Sequence, residues 1–288
     1  MKLFPFSYKN VPVFAGSTIN KIINSSDREL TIDASLGAGK IFISISRERD
    51  YIKLDNYRFK IARLLEVTRN KRRVYALVSG SIIPLSSIEN NKFYQLVMFE
   101  GCKTPTVEIS GIHMHKVLID PLFEDSYLKI KYLNPKPHSK VLEICTGLGY
   151  TTYWLLQRNC RVVLSIEKSE SVLKLAEYNP WSAHLEKVPI ALGDATEIIH
   201  ELEQSSFSYV IHDPPRFSLA PNLYSSEFYG EIFRVLKPGG KVLHYVGRPG
   251  HLRRKNIYKG ILDRLRRVGF VKTKYVDRIE SIIAKKPL

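Results

Sequence analysis

Cysteine is scarce: Cys102, Cys145 and Cys160 are the only three in 288 residues, and they stand in no metal-ligand spacing. That excludes a disulfide-stapled scaffold and a cysteine-built metal site, and a reducing, cytoplasmic setting is expected. Long apolar runs are missing as well. No stretch approaches the ~20 residues of a membrane span, and the opening Met1-Lys2-Leu3-Phe4-Pro5-Phe6 is broken by Pro5, Lys9 and Pro12 before a signal-peptide core could form. Nor is there a phosphate loop, because Gly37-Ala38-Gly39-Lys40 has Ala34 where the first glycine of that motif belongs. Acidic residues are the last shortage. Against 44 Lys and Arg stand 28 Asp and Glu, a net charge of +16, which points to a polyanionic partner.

What the chain does contain is a set of polar or glycine-bearing ends on short apolar runs. Glu143-Ile144-Cys145-Thr146-Gly147-Leu148-Gly149-Tyr150-Thr151 follows the run Lys140 to Leu142 and precedes an aromatic-rich helical stretch. Two glycines thus lie at a strand-to-helix turn, where backbone can approach a ligand without a Cβ clash and the helix start offers free N–H groups. Arg161 to Ile166 is a second run ending in Glu167, Pro189 to Leu192 a third ending in Gly193-Asp194-Ala195, and Tyr209 to His212 a fourth ending in Asp213-Pro214-Pro215-Arg216-Phe217. Phe228 to Leu236 reads as a helix, Lys237 to Gly240 as a turn and Lys241 to Val246 as a fifth strand. In a doubly wound α/β sheet such ends share one crevice.

In these motifs the chain from about Gly111 to Leu288 resembles the class I S-adenosylmethionine-dependent methyltransferases. The Cys-Thr-Gly-Leu-Gly-Tyr turn with the later His-Asp-Pro-Pro-Arg looks most like a group of uncharacterised archaeal methyltransferases. The resemblance implies a Rossmann-like sheet, mostly parallel with its last strand antiparallel, and S-adenosylmethionine as cofactor. It also implies that Glu143, Thr146, Gly147 and Gly149 wrap the methionine part, Glu167 the ribose, and Asp194 with Ala195 the adenine. Glu143 would meet a dinucleotide pyrophosphate badly, yet it can attract the cationic amino end of S-adenosylmethionine, directly or through water.

Chemistry is expected at Asp213, Pro214 and Arg216. Two prolines stiffen the loop so that a carbonyl and the Asp213 carboxylate can accept hydrogen bonds from an amino group. In enzymes that methylate exocyclic base amines the fourth residue of the motif is aromatic; here it is Arg216, with Phe217 one place later as the candidate stacking ring. The 5-methyluridine class shares Asp-Pro-Pro-Arg but needs a cysteine beyond it, and none follows Cys160. The expected reaction is therefore methylation of an RNA base, guanine favoured, in transfer RNA. The alternatives are a small-molecule methyltransferase and an aminopropyltransferase of the spermidine synthase kind on the same fold.

Residues 1–110 read as a small β-rich domain, with strand-like runs at Lys40 to Ser46, Tyr57 to Leu65, Val74 to Val78 and Phe93 to Phe99. Arg69-Asn70-Lys71-Arg72-Arg73 falls between two of them, and as a hairpin tip it would present Arg72 and Arg73 to phosphates. Residues 111–134, with His113 and His115, read as a linker and helix leading into the methyltransferase domain of residues 135–288. Past the fifth strand, a loop carrying Arg248, Arg253 and Arg254 is expected to rim the crevice and meet RNA, ahead of a helix from about Asn256 to Val268.

Overall fold

Seven apolar runs of the carboxy-terminal half pair into one sheet in the computed structural model, which describes residues 1–25, 29–247 and 253–288. The strands are β1 (Lys140–Ile144), β2 (Arg161–Glu167), β3 (Ile190–Leu192), β4 (Phe207–His212), β5 (Leu236–Tyr245), β6 (Val271–Val276) and β7 (Ser281–Lys285). Their order is β3-β2-β1-β4-β5-β7-β6. Strands β1 to β5 run parallel to one another, and the last strand, β7, runs antiparallel to both β5 and β6. The direction of winding reverses between β1 and β4, where Ile144 lies opposite His212, so the crevice of a doubly wound sheet opens beyond these two strand ends. The helices are α1 (Tyr127–Leu133), α2 (Tyr150–Gln157), α3 (Glu170–Ala176), α4 (Ala195–Ile198), α5 (Ser226–Val235) and α6 (Arg253–Val268).

Period-two alternation decides which side chain meets which layer. On β1, Leu142 and Ile144 enter the core that α5 and α6 cover with Ile232 and Leu265, while Val141 joins Ile130 and Leu155 on the other face. β2 carries one extra residue at this level, since Val141 pairs with Val162 but Leu142 with Leu164. That irregularity lets Val162 and Leu164, two apart, serve opposite faces. It also brings Ser165 opposite Glu143. The expected turn at Lys237 to Gly240 lies inside β5 as an excursion, because Phe207 pairs with Leu236 and Tyr209 with Lys241. α6 starts at Arg253 rather than near Asn256. Arg and Lys are strong helix formers, and Ile261 and Leu265 anchor the stripe behind them. Arg253 and Arg254 therefore open a helix instead of lying in a loop; their side chains, and all of Arg248, lie outside the described residues.

Contacts divide the chain into Met1–Pro5, Leu122–Glu170 and His184–Leu288 as one unit, and Phe6–Pro121 with Ser171–Ala183 as the other. The second unit holds three small antiparallel sheets, and its core, shared by two of them, includes Phe14, Ile19, Ile43, Ile45, Ile52 and Leu77. Ile43 and Ile45 are buried while Phe42 stands 62% exposed, as alternation over Phe42–Arg47 requires. Two expectations change here. The run from Tyr57 is a strand only to Lys60 and then a helix, Ile61–Val67, because Ala62 to Glu66 are helix formers without a β-branched residue and Leu64 fills the core. Arg69 to Arg73 is consequently a helix-to-strand turn, not a hairpin tip. The turn is fastened, with the Gly16 and Ser17 amides donating to the carbonyls of Arg73 and Lys71 at 2.9 and 2.8 Å.

In the same unit Arg73 Nε donates to Gln95 Oε1 at 2.7 Å, Gln95 donates to Glu108 at 2.6 Å, and His113 Nε2 meets Glu108 at 2.8 Å. His115 Nδ1 meets Thr106 Oγ1 at 2.8 Å. Both histidines of the expected linker are thus engaged within the β-rich unit. Arg72 is exposed, its guanidinium over the Phe99 ring at 5.3 Å.

Candidate functional site

The glycine turn after β1 is held from below by a carboxylate. Glu143 is fully buried, and its oxygens accept hydrogen bonds from Thr151 and Thr152 in the first turn of α2 and from Ser165 of β2, each at 2.5 Å. Thr146 extends the cluster through Ser165, hydroxyl to hydroxyl at 2.6 Å. Burial pushes the Glu143 carboxyl up from its ordinary range while the three hydroxyls pull it back. Glu143, expected at the amino end of the cofactor, clamps β1, β2 and α2 together beneath the turn. By the alternation of β1 it shares the face of Val141, toward α2.

The two glycines differ. Gly147 has φ +55° and its missing Cβ would meet nothing within 4 Å, so its backbone borders open space. Gly149 has φ +70°, and a Cβ there would lie 2.6 Å from Leu185. His184 Nε2 reaches the Gly149 carbonyl at 2.8 Å, which fixes this end of the turn from the same side. Gly147→Ala should therefore fold, at a strain cost of about 1–2 kcal/mol for the left-handed backbone, yet lose cofactor affinity to its methyl group. Gly149→Ala should lose both stability and affinity. Thermal melts beside calorimetric titration with S-adenosylmethionine separate the two, and equal melting temperatures would contradict the packing argument.

The acids at the next strand ends turn toward the same place. Glu167 accepts the Gly147 amide at 2.9 Å with one oxygen and the amides of Lys168 and Ser169 at 2.9 and 3.0 Å with the other. Asp194 caps α4 by accepting from the Thr196 amide at 2.9 Å, and its second oxygen pairs with Lys168 at 2.7 Å. Burial alone would raise Asp194, but Lys168 and Thr196 outweigh it and lower the carboxyl. Ala195 follows at 6% exposure. Between these acids sits Cys145, a non-glycine residue at φ +69°. Burial pushes its thiol well above the ordinary range, and Glu167, Asp213, Glu143 and Asp194 add to the rise. The turn therefore lies in a negative field, and a cofactor carrying a positive sulfur fits it.

Asp213 closes the crevice from β4. Its amide donates to the Ile144 carbonyl at 3.2 Å, which sets it beside the glycine turn. Its Oδ2 accepts from Lys129 Nζ at 2.6 Å, and Lys129 also pairs with Asp125 at 2.9 Å and lies 4.6 Å from the Tyr245 ring centroid. Burial works against the Lys129 charge, yet Asp125 and Asp213 hold the ammonium above the ordinary lysine range. No sequence motif marks Lys129; the Asp125 to Lys129 step of four on one helical face is the signal that could have found it. Beyond Asp213, Pro214 is buried, and the Pro215 carbonyl accepts the Tyr224 hydroxyl at 2.7 Å. Arg216 is exposed, and Phe217, 39% exposed, stands edge-on to Tyr224 at 5.4 Å.

Beneath this loop two neutral rings stack. His212 and His244 are fully buried with centroids 4.4 Å apart; His212 Nε2 donates to the Leu223 carbonyl at 2.9 Å and His244 Nε2 accepts from Tyr229 at 2.9 Å. Burial pushes His212 down to about 4, and burial with the neighbouring His212 drives His244 well below its ordinary value. In the unfolded chain His212 takes a proton near pH 6.5, while the fold refuses it until about pH 4. Stability is therefore complete above about pH 6.5 and falls by about 3 kcal/mol from His212 as pH drops through that window. Unfolding midpoints across pH measure this, and His212→Phe should flatten the slope.

Among the described residues, no helix is long and apolar enough to cross a membrane and no group of three His, Cys, Asp or Glu could hold a metal ion. Residues 141–240 match the family described as a methyltransferase domain. The uncharacterized protein MJ1233 of Methanocaldococcus jannaschii is 42% identical over 272 residues, 93% of each chain. Polyamine aminopropyltransferase 2 of Hyperthermus butylicus is 26% identical over 223 residues, covering 75% of this chain and 69% of that one. Among solved structures, spermidine synthase from Thermotoga maritima superposes with a TM-score of 0.55 at 17% identity, over 70% of this chain and 72% of that one, a likeness of fold. Sheet order, glycine turn, domain match and the archaeal relative agree: this chain belongs to the class I S-adenosylmethionine-dependent methyltransferases, in one group with the protein of Methanocaldococcus.

Proposed function

We propose that the protein methylates an amine nitrogen, with the exocyclic amine of guanine in RNA, transfer RNA foremost, as acceptor. One observation carries the amine assignment. Asp213 gives Oδ2 to Lys129, while its Oδ1 makes no hydrogen bond among the described residues and its side chain is 21% exposed at the crevice. Gly147 and Thr146 of the turn, Glu167, Asp194 and Ala195 would hold the cofactor, which when bound would supply the methyl group and leave as a neutral thioether keeping the bonding pair. Asp213 Oδ1 first accepts an N–H of the acceptor, which aims the nitrogen lone pair at that carbon; as the N–C bond forms, the same oxygen takes the proton. Pro214 and Pro215 stiffen the loop, and Tyr224 fixes the Pro215 carbonyl so that the carboxylate cannot swing away.

The RNA part is supported by the net charge of +16 and by exposed Arg216 and Phe217 beside Asp213, a cation and a ring suited to a phosphate and a base. Arg72 adds an exposed guanidinium on the β-rich unit. A second reading is aminopropyl transfer to a polyamine. Two carboxylates flanking one ammonium suit a cationic acceptor, and the relative from Hyperthermus bears that activity in its name. The purified protein should be given methyl-labelled S-adenosylmethionine with total transfer RNA, and separately decarboxylated S-adenosylmethionine with polyamines. Label in RNA, traced to guanine by nucleoside digestion and mass spectrometry, supports the first reading. Product only with polyamines replaces it by the second.

A further inference from the structure

The segment before the glycine turn is built around a buried cation. A π-helix, Pro121–Ser126, runs into α1, and Trp154 Nε1 pins it by donating to the Leu122 carbonyl at 2.7 Å. π-turns are rare and gather at functional sites. This one delivers Asp125, 2% exposed, one helical step ahead of Lys129, 3% exposed. Lys129 has three N–H bonds, and the two carboxylates with the Tyr245 ring face give each a direction. A buried ammonium with acceptors on opposite sides has a fixed geometry, unlike a surface lysine.

From this arrangement we infer that Lys129 is the positioning residue of the site: clamped between Asp125 and Asp213, it aims one oxygen of Asp213 into the crevice and sets its positive charge between the two carboxylates. The inference rests on Asp213 as the proton acceptor. Two carboxylates this close would share a single proton without a cation between them, and Asp213 would then donate where it must accept. The other charged or titratable groups near Asp213 are Glu143, Cys145, Tyr224 and Tyr245, the neighbouring buried His212, and Arg216 three residues on. Arg216 is the other cation, and it is exposed to solvent, whereas Lys129 is buried and paired to Asp213 at 2.6 Å.

The test compares Lys129→Met and Lys129→Met/Asp125→Asn with wild type. The first readout is the melting temperature against pH, which needs no acceptor. In the single variant one carboxyl keeps its proton to higher pH in the folded state than in the unfolded one, and the stability this brings is lost as pH rises. Its melting temperature relative to wild type should therefore climb by several degrees from about pH 8 to about pH 5.5. The double variant should lose that climb. A constant offset between single variant and wild type overturns the inference. The second readout is the initial rate with labelled S-adenosylmethionine and total transfer RNA. Its acid limb should move up by about 1–3 pH units in the single variant and return in the double variant, with the rate still low because orientation is lost. A uniform loss at every pH would show a merely structural lysine. If the single variant does not fold, a folded double variant supports the charge argument and an unfolded one ends it. Failure of the proposed chemistry shows up separately, as Asp213→Ala protein that turns over normally while the melting profiles still follow the pattern above.

Discussion

Asp213→Ala lowers turnover by about 10²- to 10⁴-fold, the range expected for losing a positioned proton acceptor, and leaves the affinity for S-adenosylmethionine nearly unchanged. The asymmetry follows from where the side chain points. Its Oδ2 is held by Lys129 and its Oδ1 opens on the crevice, whereas the elements of the turn are fastened through Glu143, Glu167 and His184 without it. Asp213 is hydrogen-bonded to β1 through its backbone amide, at the Ile144 carbonyl, and the substitution keeps that bond. Single-turnover rates beside calorimetric titration decide the matter. Equal losses of rate and affinity would mean that Asp213 holds the cofactor rather than the acceptor.

Glu143→Leu is expected to cost the most stability, about 3–5 kcal/mol out of the 5–15 kcal/mol typical of a domain. Leucine fills the volume but strands the buried hydroxyls of Thr151 and Thr152 without their acceptor and leaves Ser165 only Thr146 as partner. Gln keeps one carbonyl oxygen and should lose roughly 1–2 kcal/mol, because its amide N–H groups face hydroxyls that can rotate to accept. Denaturant midpoints of the two variants measure the difference. A leucine variant as stable as the wild type would show that the hydroxyl cluster finds other partners and that the clamp is dispensable.

The parts of this molecule that were legible in the sequence are those fixed by local spacing. Strand, turn and helix recur within about 30 residues in an α/β unit, so Gly147, Glu167, Asp194 and Asp213 could be placed at neighbouring strand ends before any coordinates. What stayed hidden depends on distance or parity. Lys129 meets Asp213 across 84 positions, and nothing local announces that pairing. The bonds of Glu143 to Thr151 and Thr152 depend on its face on β1, which the glycine motif beside it does not announce. Ile61 to Val67 carries enough apolar residues for either a strand or a helix; the tertiary position of Leu64 settles the choice, and with it the nature of the basic turn that follows.

The hydroxyl clamp under the glycine turn has a thermodynamic corollary. A loop already frozen by its own scaffold surrenders little freedom when a guest arrives, so capture should proceed with a small loss of conformational entropy and with kinetics set by diffusion rather than by loop closure. A binding rate that rises linearly with cofactor concentration, without saturating, would be the signature of such a rigid receptor.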